Sequence, residues 1–103
     1  MSTAPYYTLE SDSLGGTLRL CGAISFVNAA QAFASPPQAA KRDANLDLDL
    51  AALASADSAT LAVLIAWSAQ ARARGAQLRY LHAPQGLRNL AKLCDVEGLL
   101  GLA

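Results

Sequence analysis

Residues 45–67, "NLDLDLAALASADSATLAVLIAW", change their hydrophobic period partway along. In "NLDLDLAAL" the side chains Leu46, Leu48 and Leu50 alternate with Asp47 and Asp49, the pattern of a strand with one face on the core. After a short loop, Asp57 and Ser58 stand immediately before an apolar run rich in Ala and Leu. That run predicts a helix over 58–74 that stops at Gly75, with Arg72 and Arg74 favourably placed at its negative C-terminal end. A strand, a loop and a helix in this order are the first half of a βαβ crossover.

Downstream, "QLRYLH" (77–82) supplies the next strand. In "PQGLRNLAKLC" (84–94), Leu87, Leu90, Ala91 and Cys94 recur as one helical face, leaving Arg88, Asn89 and Lys92 on the wet side. Upstream, the alternating runs "PYYTLE" and "TLRLCG" are separated by "SDSLGG", where Gly15-Gly16 supplies the positive φ angles of a tight reversal, so a hairpin is expected. "SFVNAAQAFA" carries Phe26, Ala29, Ala30 and Phe33 at helical spacing with Ser25 as N-cap, and this helix should end near "SPPQ". Pro36, Pro37 and "AAKRDAN" make 35–45 the most loop-like stretch. The predicted order is strand, strand, helix, strand, helix, strand, helix. It implies an α/β fold, one domain over 1–103, with a mixed, mainly parallel sheet of about four strands, an N-terminal hairpin and packed helices.

Composition narrows the function. A chain of 103 residues, 53% hydrophobic, can bury a single core. Lys plus Arg and Asp plus Glu number 8 each, so no overall field draws it to nucleic acid or an acidic membrane. The start "MSTAPYYTLE" lacks a basic n-region and an apolar h-region, which predicts a cytosolic protein. The apolar stretch 61–71 is interrupted by Ser68 and Gln70, too short to insert in a bilayer.

Chemistry-bearing residues are sparse. Cys21 and Cys94 read as reduced, partly buried small residues. Together with His82 they form no chelating pair, and Asp47 and Asp49, though on one face, have no nearby His; no metal and no cofactor are expected. "SDSLGG" leads into a strand rather than a helix, which argues against a phosphate cradle. Arg72, Arg74 and Arg79 lack the interleaved aromatics of a nucleic-acid face. An enzyme would have to combine His82, the only histidine, with Ser58 or Cys94, and no spacing demands that meeting.

Asp57-Ser58 therefore draws attention. As a helix cap it would contribute about 0.5 to 2 kcal/mol, sufficient reason for its presence. A hydroxyl at a helix start also lies in positive potential, where an added phosphate or a partner's carboxylate is favoured. Ser58, Ala62, Ala66, Ala69 and Ala73 form one stripe, beside a core-seeking face of Leu61, Leu64, Ile65 and Ser68. The stripe could receive a partner's backbone, or alanine could be there simply as the best helix former. Trp67, at the flank, is an interface anchor if exposed and core filling if buried.

With the strand "LDLDL", the loop ending in "ADSATLAVLI", the strand "QLRYLH" and the terminal helix "LRNLAKLCDVEGLL" in this order, the chain resembles the STAS domain family. That pattern reads Asp, Ser or Thr, a small or hydroxyl residue, then Gly before an apolar helix. Asp57, Ser58 and Ala59 match; Thr60 stands where glycine is usual. Within the family, the small size and "NLAKLCDV" are most similar to the B subunits of Mla phospholipid-transport systems. The resemblance implies a non-enzymatic accessory subunit that binds the ATPase of an inner-membrane ABC transporter maintaining outer-membrane lipid asymmetry. Such a protein is cytoplasmic and peripheral to the membrane through its partner. Contacts would then fall on Asp57, Ser58, Ala59, Thr60, Ala62 and Ala66. The alternative within the family is an anti-sigma-factor antagonist whose hydroxyl, here Ser58, is phosphorylated by a partner kinase.

Overall fold

The computed structural model describes residues 7–11, 17–35 and 46–100. Four strands, β1 (Tyr7–Ser11), β2 (Thr17–Gly22), β3 (Leu46–Asp49) and β4 (Leu78–Leu81), lie in the order β1-β2-β3-β4. β1 and β2 are antiparallel, with Tyr7 opposite Gly22 and Leu9 opposite Leu20, while β2-β3 and β3-β4 are parallel. This is the mixed, mainly parallel α/β sheet predicted from the alternation. The Gly15-Gly16 reversal and the loop-like residues 36–45 lie outside the described residues.

Among the described residues there are four helices: α1 (Ala29–Ala34), α2 (Ser58–Ala73), α3 (Gln85–Leu93) and α4 (Glu97–Leu100). The alternating strand residues Leu20, Leu48 and Tyr80 are fully buried, as are Val63 and Leu64 on α2 and Leu87 on α3. α2 packs on β4 and touches all three other helices, so it is the central element. Its C-terminus closes as the sequence predicts. Gly75 takes φ 79, and the N–H groups of Gly75 and Ala76 return to the carbonyls of Arg72 and Ala71 at 3.0 and 2.9 Å. A left-handed residue with these two bonds satisfies carbonyls that the helix leaves free.

Three expectations change. The first helix begins at Ala29 rather than near Phe26, because Ser25 does not cap it. Instead the Asn28 side chain accepts from the Ser25 N–H at 2.9 Å and donates to the Ala23 carbonyl at 3.0 Å, folding 23–28 into a turn. The expected terminal helix is broken in two: Asp95 adopts φ 57, and Asp95 and Val96 bond back to Lys92 and Ala91 as Gly75 and Ala76 do in α2. Cys94, placed by spacing on the core face of that helix, is its exposed C-cap. Cys21 is half-buried.

Trp67 is settled as a core residue. It is 1% exposed, and its indole N–H donates to the Ala32 carbonyl of α1 at 2.7 Å. The Tyr7 ring lies against it, centroids 6.2 Å apart and tilted by 56°.

Candidate docking site

The loop after β3 delivers Asp57 in extended backbone, and the next residue opens α2. Asp57 is the N-cap: its Oδ1 accepts from the Thr60 N–H at 2.9 Å, and its carbonyl takes the Leu61 N–H at 3.0 Å. Capping leaves Ser58 on the first turn, exposed, with its hydroxyl in the positive end of the helix field. Ala62, Ala69 and Ala73 continue the stripe on the exposed side, with Ala66 half-buried.

Ala59 and Thr60, expected among the contacts, are buried, at 6% and 0% exposure. On this face Ser58 and Ala62 are open to solvent and Thr60 is not. The Thr60 hydroxyl is 2.9 Å from Asp57 Oδ1, 2.8 Å from Ser55 Oγ and 3.1 Å from the Ile24 carbonyl, to which it donates across the start of α2.

Beside Ser58 lies a feature that the sequence reading missed. Phe26, Ala29 and Phe33 on one side, and Ser58, Ala59 and Ala62 on the other, line a shallow groove of about 160 Å³ between α1 and α2. None of these side chains is charged. Phe26 is 84% exposed and its neighbour Val27 73%, although large apolar side chains in water are unfavourable. Exposed apolar surface of this kind is a candidate interaction surface. Helical spacing grouped Phe26 with Phe33 but could not say whether that face met the core or solvent. The available signal was local: both phenylalanines of the chain fall within one short segment before Pro36-Pro37.

The other candidate residues are arranged elsewhere. Asp47 and Arg79, opposite each other in register, form a two-pronged ion pair of 3.1 and 3.0 Å on the polar face of the sheet. Asp49 accepts from the Ala51 N–H at 2.8 Å and lies 3.2 Å from His82 Nδ1. The Ala51 N–H, followed by His82, holds its carboxyl below the usual carboxylate range. His82 therefore has an acidic neighbour on the sheet rather than an identified contact with Ser58 or Cys94. Among the described residues, no cluster of three His, Cys, Asp or Glu is arranged to hold a metal ion, and no helix is long and apolar enough to cross a membrane. Burial pushes the Tyr80 phenol far up, and its hydroxyl donates to the Leu64 carbonyl at 2.6 Å, fixing α2 to β4.

Comparison with known proteins adds one match: residues 8–101 fit the family described as "Mlab, STAS domain". No curated protein matches the sequence.

Proposed function

The chain belongs to the Mlab-type STAS domain family, and from that premise we propose that it is an accessory subunit docking on the ATPase of an inner-membrane ABC phospholipid transporter. STAS domains are protein-interaction modules and generally non-catalytic. The observation that carries the reading is the uncharged groove in which Phe26 stands beside Ser58 and Ala62. Its chemistry suits an apolar insertion from a protein partner, with the Ser58 hydroxyl at the rim to fix orientation. In this role the protein catalyses nothing itself. It occupies the cytoplasmic side of the inner membrane through its partner and supports assembly and activity of the transporter that maintains outer-membrane lipid asymmetry.

The test is reconstitution with the transporter's ATPase subunit. Ser58→Glu introduces charge and Ala62→Leu introduces bulk at the groove; each should weaken co-purification and lower transporter ATPase activity. Normal complex formation and activity with both changes together would sink the proposal.

Exposure of Ser58 at the start of a sixteen-residue helix keeps the second reading specific. An anti-sigma-factor antagonist would be phosphorylated there, adding about −1.5 to −2 charges to the docking face and dismissing its partner. Incubation with a cognate kinase and ATP would then give a mass shift that Ser58→Ala abolishes. Neighbouring genes separate the two cheaply: a permease and an ATPase favour transport, a kinase and a sigma factor favour the phosphoswitch.

A further inference from the structure

We propose that Thr60 is the positioning residue of the docking face: its buried hydroxyl holds the turn that carries Phe26 against the helix start that carries Ser58. The inference rests on reading the groove as the docking face, and it concerns how that face is assembled.

Thr60 is fully buried, and its hydroxyl meets groups of three residues on two segments. It lies 3.1 Å from the Ile24 carbonyl just after β2, 2.8 Å from Ser55 Oγ in the loop before α2, and 2.9 Å from the capping carboxylate of Asp57. Ser55 Oγ in turn accepts the Ile24 N–H at 2.9 Å. Both backbone polar groups of Ile24 are thus held by side chains from the α2 side. Ile24 is itself 0% exposed, so water cannot readily replace those bonds if they are lost.

Two residues further on stands Phe26. The turn between is closed from within: Asn28 accepts from the Ser25 N–H and donates to the Ala23 carbonyl, and Ser25 Oγ accepts the Val27 N–H at 3.1 Å. A turn closed in this way moves as a unit, and Thr60 with Ser55 fixes that unit at Ile24. The two walls of the groove therefore share one hydroxyl.

Thr60→Val keeps the volume and removes the hydroxyl, Thr60→Ser keeps the hydroxyl, and Ser55→Ala breaks the same link from its other end. Each protein is followed alone, by amide hydrogen exchange and urea unfolding, and by titration with the ATPase subunit. In Thr60→Val the amide of Ile24 should exchange about tenfold faster than global unfolding explains, with Leu64 and Tyr80 tracking global stability. Affinity should fall by about tenfold, the equivalent of losing one or two hydrogen bonds. Thr60→Ser should recover both. Should Thr60→Val fail to fold, Ser55→Ala should show the same local loosening and the same loss.

Unchanged exchange at Ile24, or acceleration shared evenly by the whole core, overturns the positioning role. So does a loosened turn with full affinity while Ser58→Glu weakens the complex. Full affinity in Ser58→Glu instead overturns the docking reading, whatever the turn does.

Discussion

Phe26 and Asp57 sit on opposite sides of the same groove region and do opposite kinds of work. Asp57 Oδ1 takes the Thr60 N–H at 2.9 Å and caps α2, so its contribution is to folding. Phe26 is 84% exposed, and little of its side chain is removed from water when the chain folds. The hydrophobic effect therefore gives folding little reason to place a phenylalanine there, whereas a partner covering it would gain most of its burial energy. Phe26→Ser should accordingly leave stability to urea within about 0.5 kcal/mol of the parent. Affinity for the partner should fall by about 2 kcal/mol, roughly thirtyfold, as for a truncated interface anchor. A large loss of stability with unchanged affinity would make Phe26 a folding residue after all.

Among the elements, the end of α3 gives a sharp test of backbone physics. α2 and α3 finish with the same pair of returning bonds, but α2 uses Gly75 at φ 79 and α3 uses Asp95 at φ 57. A residue with a Cβ pays a steric cost in the left-handed region that glycine avoids. Asp95→Gly should therefore raise stability, by up to about 1 kcal/mol, offset in part by the freer unfolded chain, and a urea titration reads the difference. The same contrast explains what the sequence could reveal. Gly75 announces a helix end, and the Leu46-Leu48-Leu50 alternation announces β3, because each signal is local and its residue type is diagnostic. Asp95 carries no such mark, so "LRNLAKLCDVEGLL" reads as one helix when it is α3 and α4. Ser25 resembles a cap, yet Asn28 shapes that turn, since the choice depends on which side chain reaches a particular backbone group. Trp67, on the flank of its helical stripe, is placed only by Ala32, 35 residues away, and Thr60 by Ile24, 36 away. Asp57-Ser58 was legible because capping and exposure follow from position in the helix. The groove was not, because its second wall comes from a distant segment.

At the scale of the molecule, the two surfaces differ in how they treat charge. The polar face of the sheet carries charges that answer one another across the strands: Asp47 with Arg79, Glu10 opposite Arg19, and Arg19 opposite Asp49. With a net charge of zero, the chain offers a partner little long-range field, while the α1-α2 groove offers an uncharged surface. Affinity at the groove then depends on fit and apolar burial more than on steering. The ladder has its own consequence for folding. Asp49 is held below the usual carboxylate range, first by the Ala51 N–H and then by His82, so the folded chain binds its proton less readily than the unfolded chain does. Its contribution is therefore complete above the unfolded value of about pH 4 and is lost as pH falls through the lower folded value. Asp49→Asn removes that proton uptake. Its unfolding free energy, followed in urea from pH 6 down to pH 2, should fall less steeply below about pH 4 than that of the parent. Parallel acid limbs for the two proteins would mean that the Ala51 and His82 contacts do not favour the ionised carboxylate in the folded chain.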